Sequence, residues 1–153
     1  MLGFGLSNME LHSRDAEVTA IFDSGLRTDM EKRVLVDMSL TILHHGHIRL
    51  LKKASDLGSV IVALCTDEEI FKAKGFKPLL SFEQRKEIAL AIRYVQEVIE
   101  SKYLIDEAYL DKNNIDLLVH GEDNVNPIHS KRLVIFPRTV GISSTKLRNV
   151  KQN

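Results

Sequence analysis

Three of the chain's six histidines fall within four positions, His44-His45-Gly46-His47. The H-x-G-H spacing puts His44 and His47 three residues apart at the start of a predicted helix, on neighbouring positions of its surface. A first helical turn offers unpaired backbone N–H groups and the positive end of the dipole, which together hold anions. Gly46 removes a side chain, so that a phosphate can approach the backbone. The imidazoles can donate hydrogen bonds to phosphoryl oxygens without a permanent charge. His47 also lies on the inward stripe with Leu50 and Leu51, whereas a solvated histidine would face out. Zinc ligation would require further ligands at regular spacing. Cys65 sits in an apolar run, and His120 and His129 are distant in sequence, so no resident metal is expected.

The second stretch that can do chemistry is Arg138-Thr139-Val140-Gly141-Ile142-Ser143-Ser144-Thr145, between a predicted strand and a predicted helix. Arginine supplies a planar fork of donors for phosphate. Gly141 permits an unusual backbone angle, and Ser143, Ser144 and Thr145 supply hydroxyl and N–H groups. Taken alone, Gly-Ile-Ser-Ser-Thr reads as an ordinary helix cap. Beside the histidine run it reads as a second phosphate cradle. Arg85 shares a helix face with Ala89 and Ile92, in a first turn where the dipole disfavours cations. That inward charge implies either an anionic partner or a structural ion pair.

These residues need elements to position them. Val34–Val36 and Val60–Cys65 are apolar runs that read as buried strands, and Val95–Ile99, Asp116–His120 and Leu133–Phe136 follow. Leu50, Leu51, Ala54 and Leu57 form a helical stripe from His47 that Gly58 stops. Asp67–Lys72 is predicted as a short helix and Lys74–Leu80 as a loop. Ser81 and Gln84 form a capping box that opens a helix over Phe82–Arg93. Asp106 can cap a helix to about Lys112, and Ser143–Val150 is the last helix. Alternating strands and helices predict an α/β fold, a single doubly wound parallel sheet with helices on both faces. Ligands in such sheets bind beyond the carboxyl ends of the strands. Residues 1–29 read as an N-terminal extension, either an arm or a tail, preceding one α/β domain over 30–153.

Composition narrows the function. Lys+Arg and Asp+Glu both number 21, so no global basic field exists for nucleic acid or an anionic membrane. The single Cys65 excludes an internal disulfide framework and fits a reducing cytoplasm. No apolar run approaches the ~20 residues of a membrane-spanning helix.

The H-x-G-H run with R-T-x-G-I-S-[ST]-T resembles the cytidylyltransferase family, typified by glycerol-3-phosphate and ethanolamine-phosphate cytidylyltransferases, over about Arg33–Arg148. The resemblance implies a Rossmann-like nucleotidyltransferase, working as a homodimer, that transfers CMP from Mg²⁺-bound CTP to a small phosphate or phosphonate monoester and releases pyrophosphate. It assigns His44 and His47 to the triphosphate and transition state, with Lys74 and Arg138 as further catalytic cations. Ser39, Leu40, Gly46, Lys77, Gly121, Asp123 and the Arg138–Thr145 loop, including Thr139, Gly141 and Ile142, would hold the nucleotide. Lys74, Arg85 and Tyr103 would hold the acceptor. Two alternatives are an adenylyltransferase of the same fold and a nucleotide-binding module without turnover.

Two departures from the family pattern stand out. The usual Gly-Thr-Phe-Asp element is Met38-Ser39-Leu40-Thr41 here, and a lysine expected after the third strand aligns near Asp106. The second departure weakens glycerol 3-phosphate as the acceptor, and the V-D-M opening, the doubled histidine and K-G-x-K-P instead resemble the cytidylyltransferases of phosphonate biosynthesis. A short polar acceptor tail is expected beside Lys102–Asp106. Asp106 either caps its helix or, facing the pocket, favours a hydroxyl or amine over a carboxylate; 2-hydroxyethylphosphonate or a similar phosphonate ranks first, phosphoethanolamine or phosphocholine second, and glycerol 3-phosphate third.

Overall fold

The apolar runs become strands, and their alternation decides what reaches each side of the sheet. The computed structural model describes residues 31–150; the predicted extension over 1–29 lies outside the described residues. The strands are β1 (Arg33–Met38), β2 (Ser59–Cys65), β3 (Val95–Ser101), β4 (Leu117–Gly121) and β5 (Leu133–Phe136). They form one parallel sheet in the order β3-β2-β1-β4-β5. The helices are α1 (His45–Ser55), α2 (Asp67–Lys74), α3 (Phe82–Leu90), α4 (Glu107–Lys112) and α5 (Ser144–Arg148).

Val34, Val36 and Met38 of β1 enter one core with Leu51 and Ala54 of α1 and Ala89 of α3. Leu35 enters the opposite core with Ile61, Ala63, Leu118 and Leu110 of α4. Both faces are therefore covered, as a parallel sheet requires. Strand side chains alternate between the faces, so Asp37 follows Leu35 onto the second face, at the carboxyl end of the central strand. Strand order reverses between β1 and β4, and the crevice at such a reversal is where ligands bind.

The predicted boundaries shift in places. α1 starts at His45 rather than His47, because His44 itself caps it. Lys74 closes α2 rather than opening a loop, and Gly75 at φ +77° ends that helix. α3 stops at Leu90, not Arg93: Ala91 and Ile92 donate to Ile88 and Ala89 in tight turns that lead into β3. The Ser81–Gln84 capping box forms as its spacing predicts. Among the described residues no helix is long and apolar enough to cross a membrane.

Candidate active site

A cleft of about 430 Å³ opens over the carboxyl ends of the strands. His44 and His47 both line it, and the backbone decides which ring nitrogen each offers. The His44 Nδ1 accepts the Gly46 N–H at 3.1 Å, and the His47 Nδ1 accepts the His44 N–H at 3.2 Å. With both Nδ1 lone pairs occupied, each neutral ring carries its proton on Nε2. The rings lie against each other, with centroids 3.9 Å apart. Burial pushes the His47 pKa down to about 4, with the His44 charge adding to the effect; burial and His45 lower that of His44. At neutral pH the pair therefore offers two uncharged N–H donors.

The expected reason for Gly46 needs correction. A Cβ there would sit 2.9 Å from the Nδ1 and Cε1 of His44. The glycine makes room for the His44 ring, which has already taken the Gly46 N–H. That N–H is not free for a phosphate.

The second motif reaches the same cleft. Arg138, Thr139, Ile142, Ser143, Ser144 and Thr145 line it, as do Gly121 and Asp123 from the end of β4. Arg138 Nη1 lies 3.4 Å from Asp123 Oδ2. Gly141 does not line the cleft; at φ +83° it makes the turn that brings its neighbours in. Ser143 caps α5, and Ser144 Oγ donates to the Ile42 carbonyl at 2.9 Å, which docks this loop on the one before α1.

Arg85 does not reach the cleft, which corrects its expected contact with the acceptor. It is 1% exposed, and its guanidinium donates to Ser39 O at 2.5 Å, Cys65 O at 3.0 Å and Asp67 Oδ1 at 2.5 Å. The structural ion pair was the right alternative. Its first partner sits beside Leu40, which is 4% exposed and holds φ +48°, the left-handed region that a leucine rarely enters. Such a backbone persists only where its surroundings over-determine it. Arg85 and the burial of Leu40 do so here, and Ser39 and Leu40 both line the cleft.

Lys74 and Tyr103 line the cleft as expected, with Lys74 Nζ 5.9 Å from the Tyr103 ring centroid. Lys77 does not; it is exposed on the loop beyond α2. Asp106 is also turned away. Its side chain accepts the Tyr109 N–H at 2.8 Å and caps α4, so it gives no information about the acceptor. Cys65 is buried, and burial pushes its thiol up to about 11, which leaves it inert. Among the described residues no group of three or more His, Cys, Asp and Glu side chains is gathered for a metal ion.

Sequence reasoning passed over one cluster. Asp37, Ser101, His120 and Asn126 line the part of the cleft over the second sheet face. Asn126 Nδ2 donates to Asp37 Oδ2 at 3.0 Å, and His120 Nε2 lies 3.5 Å from Asp37 Oδ1. Asp37 Oδ1 and Ser101 Oγ are buried without a hydrogen-bond partner. Burial raises the Asp37 pKa, opposed by the His120 charge. The signal was present in the sequence as a carboxylate inside an apolar parallel strand, a rare place for one unless it has work to do.

Comparison with known proteins adds to this geometry. The family model described as Cytidylyltransferase-like matches residues 41–150. The glycerol-3-phosphate cytidylyltransferase of Bacillus subtilis is 36% identical over 122 residues, 76% of this chain and 95% of the relative. The ethanolamine-phosphate cytidylyltransferase of Dictyostelium discoideum is 35% identical over 127 residues, 75% of this chain, but the match spans only 35% of that longer protein. The crystal structure of a lipopolysaccharide core biosynthesis protein from Thermoplasma volcanium superposes with a TM-score of 0.55, covering 61% of this chain and 77% of that one. At 23% identity it shows the shared fold alone.

Proposed function

The chain belongs to the cytidylyltransferase-like family, and from that premise we propose that it transfers CMP from Mg²⁺–CTP to a small phosphate or phosphonate monoester. The observation that carries this reading is the convergence of His44, His47, Arg138, Thr139 and Ser143–Thr145, distant in sequence, on one cleft at the strand-order reversal. An acceptor oxygen attacks the α-phosphorus in line. The bond from that phosphorus to the bridging oxygen breaks, and pyrophosphate leaves with the electron pair. Transfer of this kind depends on positioning and charge stabilisation rather than on a covalent enzyme intermediate. The Nε2–H groups of His44 and His47 donate to the phosphoryl oxygens, and Arg138 and Lys74 supply positive charge. Mg²⁺ arrives as part of the substrate.

The acceptor's phosphate faces Lys74, and its tail extends over the second sheet face toward Asp37, Ser101 and Tyr103. The buried Asp37 Oδ1, which has no hydrogen bond and only His120 Nε2 at 3.5 Å, and the buried Ser101 hydroxyl without a hydrogen bond favour a tail that donates hydrogen bonds, a hydroxyl or an amine. Phosphoethanolamine, 2-hydroxyethylphosphonate and glycerol 3-phosphate all meet that requirement, and carboxylate tails do not. The test is a coupled pyrophosphate assay with each acceptor and either CTP or ATP. CTP-dependent release that requires an acceptor supports the reading. Equal or faster release with ATP overturns the choice of base, and no release with any acceptor overturns the reaction.

A further inference from the structure

Thr41 lies in the loop between β1 and α1. It is 7% exposed and lines the cleft. Its hydroxyl oxygen accepts a hydrogen bond from Arg148 Nη1 at 2.8 Å. Arg148 Nη2 donates to Thr145 Oγ1 at 3.1 Å, and the guanidinium carbon lies 4.5 Å from the Phe76 ring centroid. One side chain thus touches three segments: the loop before α1, the start of α5 in the second motif, and the loop after α2. Its fork geometry and its stacking on an aromatic ring are both specific to arginine.

Among the described residues, no carboxylate lies within ion-pair distance of this side chain. Arg33, Arg85, Arg132 and Arg138 each have a carboxylate within ion-pair distance. Arg148, among the described residues, has two hydroxyls and an aromatic ring. Its neighbour Lys74 has no carboxylate within ion-pair distance among the described residues, and burial followed by the Arg148 charge holds its pKa below the ordinary lysine value, opposed by Cys65 and Asp123. In a chain with equal numbers of acidic and basic residues, the Arg148 charge sits just behind the cleft-lining Thr41 and Thr145 and close to the cleft-lining Lys74.

We propose that Arg148 is a positioning residue that pins the two phosphate-gripping segments together through Thr41, and that the neutral Thr41 leaves its charge available to strengthen binding of the nucleotide's phosphates. This rests on the proposed reaction, and the test separates the two. A carboxylate supplied by Thr41→Asp meets the guanidinium directly. It stabilises the fold by a new ion pair while cancelling the charge that attracts phosphate.

The experiment measures melting temperature, calorimetric affinity for Mg²⁺–CTP, and steady-state KM and kcat for wild type, T41D, T41V, R148K and R148A. In T41D the CTP Kd and KM rise about tenfold, the size of one lost charge-assisted contact, while the melting temperature holds or rises. R148A weakens CTP by at least as much, and R148K recovers part of the loss because the charge remains without the fork. T41V, which removes only the hydroxyl, falls between wild type and R148A. Unchanged or tighter CTP binding in T41D overturns the proposal, as does an R148A whose only defect is a lower melting temperature. If R148A fails to fold, T41D still decides. Absence of pyrophosphate release by the wild type would instead refute the proposed reaction and leave the binding comparison standing.

Discussion

The two histidines act through a detail smaller than their motif. Each uses Nδ1 to satisfy a backbone N–H, which leaves Nε2–H for the ligand. The H-x-G-H spacing was legible in the sequence; this tautomer was not, because it depends on the loop before α1 lying across the helix start. Asparagine places an acceptor near the Nδ1 position, so His47→Asn keeps the cap and removes the donor. We expect a melting temperature close to wild type with kcat lowered about 10²-fold or more, the cost of one lost transition-state donor. The same histidine sets an acid limit. Its pKa is about 4 in the folded protein against 6.5 when unperturbed, so the unfolded chain takes up the proton first. Stability is full above pH 6.5 and declines as pH falls through that window, by roughly 3 kcal/mol in all. Urea midpoints measured from pH 7 to pH 4 should fall by less in His47→Asn than in wild type, and equal slopes would contradict the assignment. Asp37 was visible as a carboxylate inside an apolar strand, but it precedes the motif, and only the strand register shows which face it takes. Asp37→Asn retains an acceptor for the Asn126 amide but replaces the Oδ1 that accepts no hydrogen bond with a donor. The preference in kcat/KM for phosphoethanolamine over ethyl phosphate should then fall about tenfold or more; an unchanged ratio would remove Asp37 from the acceptor site.

At the level of elements, the helices and strands were readable from periodicity and caps, and their ends were not. α3 stops at Leu90 because the chain must turn into β3, a tertiary demand that Ala91-Ile92-Arg93 does not announce. Arg85 illustrates the same gap. Its inward position on α3 was correctly read, but the choice between a ligand and a structural role needed the carbonyls of Ser39 and Cys65, which come from other elements. Its job is to hold the strained Ser39–Leu40 turn under the cleft. Arg85→Lys keeps the charge and loses the fork, leaving buried carbonyls unsatisfied at a cost on the order of 2–3 kcal/mol. Thermal unfolding should report that loss, and the KM for CTP should rise with it as the turn relaxes. A lower melting temperature with an unaltered KM would show that the turn does not need Arg85 to keep its shape. Gly141 offers a second check: alanine at φ +83° is strained by about 1 kcal/mol or more, so Gly141→Ala should weaken CTP binding through the displaced loop.

Across the whole molecule, the alternation of strand and helix specified a parallel sheet, and general rules of such sheets put the ligand beyond the strand ends. That was enough to gather His44, His47, Arg138 and Thr145 in one place before any coordinates. It was not enough to separate cleft residues from those beneath or beside it, such as Arg85, Lys77 and Asp106, because one residue of shift along a loop or helix changes the face presented. The central claim is the reaction, and it is tested most directly by following CTP, Mg²⁺ and phosphoethanolamine with the protein by ³¹P NMR. The account predicts one pyrophosphate for each acceptor consumed, with a new diphosphate linkage joining CMP to the acceptor. Pyrophosphate accompanied by free CMP, or no change in the acceptor resonance with any of the three candidate monoesters, would contradict it.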